Sequence, residues 1–136
     1  MAWENTQEAK IVNDTEENKR IVTALFDLAL NQQDFEKASP LLSPTYTYNG
    51  EASSGADNRA WVISLHAAYP GLHFSFDEIL AENDLVALRW RMTAPAHKDR
   101  PAGYRTGTNI LRVADGQVQS NVQNGSFSNG WPEHKS

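Results

Sequence analysis

The chain has 136 residues, 40% of them apolar and 21% charged, with a net charge of −5. This is the composition of one soluble domain with a single core, and it lacks the clustered basic surface that nucleic-acid binding needs. The absence of cysteine excludes a disulfide framework, a thiolate metal site and a cysteine nucleophile.

Residues 1–13 are polar apart from Trp3, Ile11 and Val12 and are expected to form a flexible N-terminal segment. They show no apolar leader of signal type, and nowhere does the chain approach a membrane span of about 20 apolar residues. A cytoplasmic protein that does not engage membranes is the expectation. A helix should begin at Asp14 or Thr15, where Asp14, Thr15, Glu16 and Glu17 offer a cap and an acidic first turn. Ile21, Val22, Leu25, Phe26, Leu28 and Ala29 then recur at helical spacing and give that helix one broad apolar face. Asp34 should cap a short second helix, Phe35 to Leu42, interrupted at Ser39-Pro40.

Pro44 opens an extended run, Thr45-Tyr46-Thr47-Tyr48-Asn49, and residues 50–55 form a loop of small residues. A third helix is predicted over residues 56–69, stopped by Pro70-Gly71. The period then falls to two. Leu72, Phe74 and Phe76 alternate with polar residues, as do Val86, Leu88, Trp90 and Met92 after a turn at Glu82-Asn83-Asp84. Gly107, Asn109, Leu111 and Val113 share one face of the next strand, and Asp115-Gly116 is a hairpin dipeptide leading into a final strand from Gln117. Helices followed by a four-strand meander predict an α+β domain over residues 14–130, with a tail at 131–136. Helices packed on a strongly bent antiparallel sheet would leave a pocket between the two layers.

Several phrases, in this order, resemble the nuclear-transport-factor-2-like superfamily and, within it, the SnoaL-like polyketide cyclases. They are Asn31-Gln-Gln-Asp-Phe-Glu-Lys-Ala, Pro44-Thr-Tyr-Thr-Tyr-Asn49, Ala68-Tyr-Pro-Gly-Leu72, Ala81-Glu-Asn-Asp-Leu-Val-Ala-Leu-Arg-Trp90 and Leu111-Arg-Val-Ala-Asp-Gly-Gln-Val118. The resemblance implies a cone-shaped bent sheet of about five strands closed by three N-terminal helices, commonly a homodimer. It also implies a cofactor-free acid–base enzyme acting on an apolar carbonyl compound such as a polyketide or terpenoid intermediate, by cyclisation or isomerisation. In those cyclases an Asp on the last strand acts with a His on the strand before it. Those positions fall on Gln123 and Asn109 here, within a strand face carrying Gln119, Asn121 and Gln123. A carboxamide does not titrate near neutral pH, so Gln123 and Asn109 can donate to an oxyanion but cannot act as base.

Tyr46 and Tyr48 share one face of the first strand and Asn49 faces the other way, so either tyrosine or Asn49 is a candidate ligand contact, against the ordinary reading of Tyr as half-buried core. His66 on the third helix is the remaining candidate base, against a packed helical His, with His97 behind it. His73 alternates outward. Trp61, Phe74, Trp90, Met92 and Leu111 would form an apolar lining or simply core. The four His residues lie far apart, without metal-site spacing. The acidic residues, Asp57 among them, sit at predicted caps and turns, and Arg89 and Arg91 should lie on the outer sheet face. The amide-bearing strand also fits a different class, a non-catalytic binding or dimeric assembly module on the same fold.

Overall fold

The computed structural model describes the backbone of residues 2–129 and the side chains from residue 14 onward, except those of residues 127 and 129. The expected tail at 131–136 lies outside the described residues. Helix α1 spans Ala2–Phe26. It starts upstream of the cap expected at Asp14 because residues 2–13 hold no Gly or Pro and many good helix formers. Ile21, Val22 and Leu25 are its buried stripe. The helix then widens into a π-helical turn, Asp27–Asn31, a local irregularity often found at functional sites. Asp34 caps α2 (Phe35–Ala38) by accepting from the Lys37 amide, and Pro40 opens a short 3-10 turn, Ser39–Leu41.

Strand β1 (Leu42–Tyr48) follows. Residues 50–55 are not wholly loop: Asn49 and Gly50 take positive φ angles of 50° and 83° and turn the chain into a two-residue strand, β2 (Glu51–Ala52). Asn-Gly is a hairpin dipeptide for this reason. Ser54 caps α3 (Gly55–Ala68) through the Asp57 amide. The meander is β3 (His73–Glu82), β4 (Leu85–Ala94), β5 (Gly103–Ala114) and β6 (Gln117–Asn129). Asp115 and Gly116, with φ of 54° and 75°, make the tight turn between β5 and β6.

The sheet has six strands, in the order β2-β1-β6-β5-β4-β3. It is mixed, not purely antiparallel: β1 lies parallel to β6. The two are joined by half of the chain, so no hairpin dictates their relative direction. Register shifts at Phe76/Glu78, Gly107/Thr108 and Arg112/Val113 mark bulges, which bend and twist strands locally. The core fills the concave side, where Val22, Val62, Leu65, Val86, Leu111 and Val118 are fully buried. Among the described residues, no helix is long and apolar enough to cross a membrane.

Edge strand β3 is fastened to the π turn by one side chain. Asn31 Nδ2 donates to the Phe74 carbonyl at 2.9 Å, and Asn31 Oδ1 accepts the Phe74 amide at 2.8 Å. The carboxamide stands in for a neighbouring strand, while Asp27 Oδ1 accepts from the same Nδ2 at 2.9 Å. The bond from Asn31, with a second from Gln32, holds the Asp27 carboxyl below its ordinary value.

Candidate functional site

Between the concave sheet face and the helices lies a cavity of about 260 Å³. Its apolar walls come from Leu25 and Phe26 of α1, Ala29 and Leu30 of the π turn, Leu42 of β1 and Trp61 of α3, facing Phe74, Trp90 and Met92 on the sheet. Phe74 stacks on Phe26 at 5.3 Å between ring centroids and on Trp90 at 6.0 Å. Gly107 lies opposite Trp90 in the β4–β5 register, and a Cβ built on it would sit 2.3 Å from the Trp90 ring. No other residue leaves room for the indole to lie where it does. Tyr48, Ser53, Asp57, Asn58 and Gln123 also belong to the lining. Tyr48 is 37% exposed and Asp57 is also exposed, so these residues form the mouth.

A chain of polar side chains crosses the deep wall. The Trp90 indole N–H donates to Asn109 Oδ1 at 2.7 Å, and Asn109 Nδ2 donates to Asn121 Oδ1 at 2.7 Å. Asn121 in turn bonds the Tyr46 hydroxyl. Asn109 and Asn121 are 4% and 6% exposed, and buried amides of this kind are tolerable only when satisfied. Burial pushes the Tyr46 phenol up to about 12, offset in part by the bond from Asn121. Nearer the mouth, Tyr48 donates its hydroxyl to Gln123 Oε1 at 2.8 Å. Burial also raises the Tyr48 phenol, with the Arg105 cation pulling the other way.

The structure therefore brings Tyr46, Tyr48, Trp61, Phe74, Trp90, Met92, Asn109, Asn121 and Gln123 to one cavity, with Asn109 and Gln123 directly opposite across β5 and β6. Three candidates lie elsewhere. His66 Nε2 sits 2.6 Å from the Leu30 carbonyl oxygen; a carbonyl can only accept, so this nitrogen carries hydrogen and ties α3 to the π turn. Leu111 is fully buried as core beside the cavity, not as lining. Asn49 is used by the turn, its Oδ1 accepting the Gln123 amide at 2.8 Å. Gln119 leaves the Asn121–Gln123 face because the bulge at Arg112/Val113 inserts an extra residue there; its Nε2 donates to the Ala114 carbonyl at 3.0 Å. His97 pairs with Arg100 in an isolated bridge, and His73 is exposed.

One site residue was legible only as punctuation. Asp57 has its amide capped by Ser54, as its place in the first turn of α3 suggests, and it is also one of the residues that line the cavity. Among the lining residues it carries the only carboxylate. Among the described residues, no group of three or more His, Asp or Glu side chains is arranged to hold a metal ion.

Solved structures share this fold. A SnoaL-like polyketide cyclase from Agrobacterium tumefaciens superposes with a TM-score of 0.66 at 17% identity, over 79% of this chain and 89% of that one. IdmH from Streptomyces antibioticus, a proposed polyketide cyclase, gives 0.67 at 18% identity over 82% and 91%. AclR from Streptomyces galilaeus, a proposed hydroxylase, gives 0.65 at 24% identity over 87% and 82%. No curated protein matches the sequence at a significant level. The family model for the SnoaL-like domain matches residues 22–121, which includes α1 from its buried stripe onward, the π turn, α3 and the sheet as far as Asn121. By that match and by its fold, the chain belongs to the SnoaL-like domain family.

Proposed function

We propose that the protein is a cofactor-free enzyme that binds a largely apolar carbonyl compound in this cavity and moves a proton on it, leading to isomerisation or ring closure. The observation that carries the reading is an aromatic chamber crossed by the hydrogen-bonded chain of Trp90, Asn109 and Asn121, with the Tyr46 phenol in the same lining. Such a hydroxyl can donate to a carbonyl oxygen and hold the negative charge that grows there when a neighbouring C–H bond is broken. With Gln123 in place of an acid, the base must be another group, and Asp57 is the carboxylate within the lining. In the proposed step the carboxylate takes the proton from the carbon next to the carbonyl, and the C–H electrons pass to oxygen as an enolate. The carbonyl then re-forms as the Asp57 carboxyl returns the proton to a different carbon of the conjugated enolate, or the enolate carbon attacks a second carbonyl, whose oxygen takes that proton as the ring closes. Gln123 at the mouth orients the substrate.

Polyketide-like and terpenoid-like carbonyl compounds are the substrates to screen, since neighbours in fold include SnoaL-like polyketide cyclases. With a turned-over compound in hand, Gln123→Ala is expected to lower kcat/KM by about a hundredfold and Asp57→Asn by more, within the usual span for losing a donor or a base. Wild-type rates in both variants would sink this assignment.

The exchange of an acid for Gln123 favours a second reading, a small-molecule binding module without chemistry. Tight binding of a cavity ligand with no conversion would support it. On either reading we propose that the protein is a cytoplasmic homodimer, joined through the outer face of the sheet.

A further inference from the structure

On the connection between β4 and β5, Arg100 lays its guanidinium on the Tyr69 ring at the end of α3, 4.6 Å from the centroid. Both of its terminal nitrogens are buried, and among the described residues neither has a hydrogen-bond partner. A guanidinium stays charged at any working pH and points its hydrogens outward around its edge. The Tyr69 ring meets the face of the group, so the edge is left unserved. Buried N–H groups are seldom left that way, and a buried charge without a counter-charge is costlier still. We infer that Arg100, with Arg105 nearby, forms a binding site for an oxyanion, a carboxylate or phosphate group, at the end of the sheet where β4 passes into β5.

Arg105 lies opposite Met92 in the β4–β5 register and so shares its concave face. Its Nη2 is 3.5 Å from Ser126 Oγ, beyond ordinary hydrogen-bond length. Both cations act on the Tyr69 phenol, opposing the rise that its burial causes, so both stand close to that side chain. A chain of net charge −5 has acids to spare, and Arg20, Arg89, Arg91 and Arg112 each pair with one. Among the described residues Arg100 and Arg105 pair with none, and the neighbouring Asp99 is turned to solvent. Packing holds Arg100 in place. A Cβ on Gly71 would come 2.8 Å from the Pro95 ring at the base of the connection, and His97 and Arg100 exchange backbone hydrogen bonds at 2.9 Å. Residues 95–99 between these anchors are exposed, and an oxyanion enters as that tip gives way. The guanidinium fork matches two oxygens of a carboxylate or phosphate at once, which is the bond the Arg100 edge lacks.

The test is calorimetric titration of the full chain with inorganic phosphate, acetate and hexanoate at fixed ionic strength. Saturable binding is expected, weakened by about tenfold or more in Arg100→Met and in Arg105→Met, the usual worth of hydrogen bonds to a charged group. Met keeps the unbranched stem and removes the charge. Thermal melting gives a second reading: phosphate should raise the melting temperature of the wild type more than that of Arg100→Met, whereas general salt effects act on both alike. The carboxylates separate two sources of the anion, and either result supports the site. Equal affinity for acetate and hexanoate marks a free anion. Tighter binding of hexanoate, by up to about fourfold per buried CH₂, marks a carboxylate carried by a ligand whose body lies along the concave face. No saturable binding of any of the three, undiminished binding in both variants, or equal phosphate effects on the two melting temperatures would overturn the inference. Phosphate binding does not require the chamber to take a substrate, so failure of the proposed enzyme leaves this result standing.

Discussion

Tyr46 shows how much one residue's role depends on its neighbours. Its phenol stays neutral far above working pH, pushed up to about 12 by burial, so it is a donor throughout the physiological range and never a resting base. Because the folded value lies above the unfolded value of 10, the stability Tyr46 contributes is full below pH 10 and is lost as pH climbs towards 12. Ultraviolet titration of the folded protein should show one phenol ionising near 12 that is missing from Tyr46→Phe. A spectrum with every phenol ionised by pH 11 would contradict the buried, bonded state. Strand alternation made it legible that Tyr46 and Tyr48 share a face. Which partners they meet was not legible, because Asn121 and Gln123 come beside them only through the pairing of β1 and β6. For His66, helical spacing gives its side of α3, but the partner it meets, the Leu30 carbonyl of the π turn, could not be read from that spacing.

At the scale of elements, the π turn and β3 act as a unit through Asn31. Replacing Asn31 with Ala leaves the Phe74 amide and carbonyl without their partner, and should cost about 1–3 kcal/mol of stability, with faster hydrogen exchange at the Phe74 amide. The separate bond from Asn31 to the Asp27 carboxylate is the main reason for the low Asp27 value. Asp27 therefore stabilises the fold fully above its ordinary value of 3.8 and loses that effect as pH falls through its depressed folded value. The stability gap between wild type and Asn31→Ala should accordingly narrow on acidification below pH 3.8, as followed by chemical denaturation. A gap that is constant with pH would show that Asn31 acts through Phe74 alone. The meander was readable because period-two patterning survives along β3 to β6. The bulge beside Gln119 was not, since one inserted residue leaves composition untouched while reversing the faces. The parallel pairing of β1 escaped too, because a long connection carries no turn signal.

For the whole molecule, the two sides of the sheet have different tasks. Across the convex side, Leu80 pairs with Ala87, Ala87 with Ile110 and Ile110 with Val122. Leu80, Ile110 and Val122 are 68%, 48% and 40% exposed, making an apolar row across four strands. Ion pairs between Arg89 and Glu78 and between Arg112 and Asp84 flank it. A contiguous apolar row on open sheet is a natural surface for a second copy. Light scattering should find a dimer, and Ile110→Glu should yield folded monomer by placing an unpaired charge in the middle of the contact. A wild-type monomer at micromolar concentration would rule this face out as a stable interface.

Trp90 rests where it does because Gly107 has no side chain. A single methyl there would tip the indole off its bed, shrink the chamber and pull the head of the polar chain out of line, although no ligand ever touches Gly107. The size of the chamber can therefore change through a residue behind its wall. Engineering libraries confined to the surface a ligand sees would pass over the position with the most leverage on what the chamber admits.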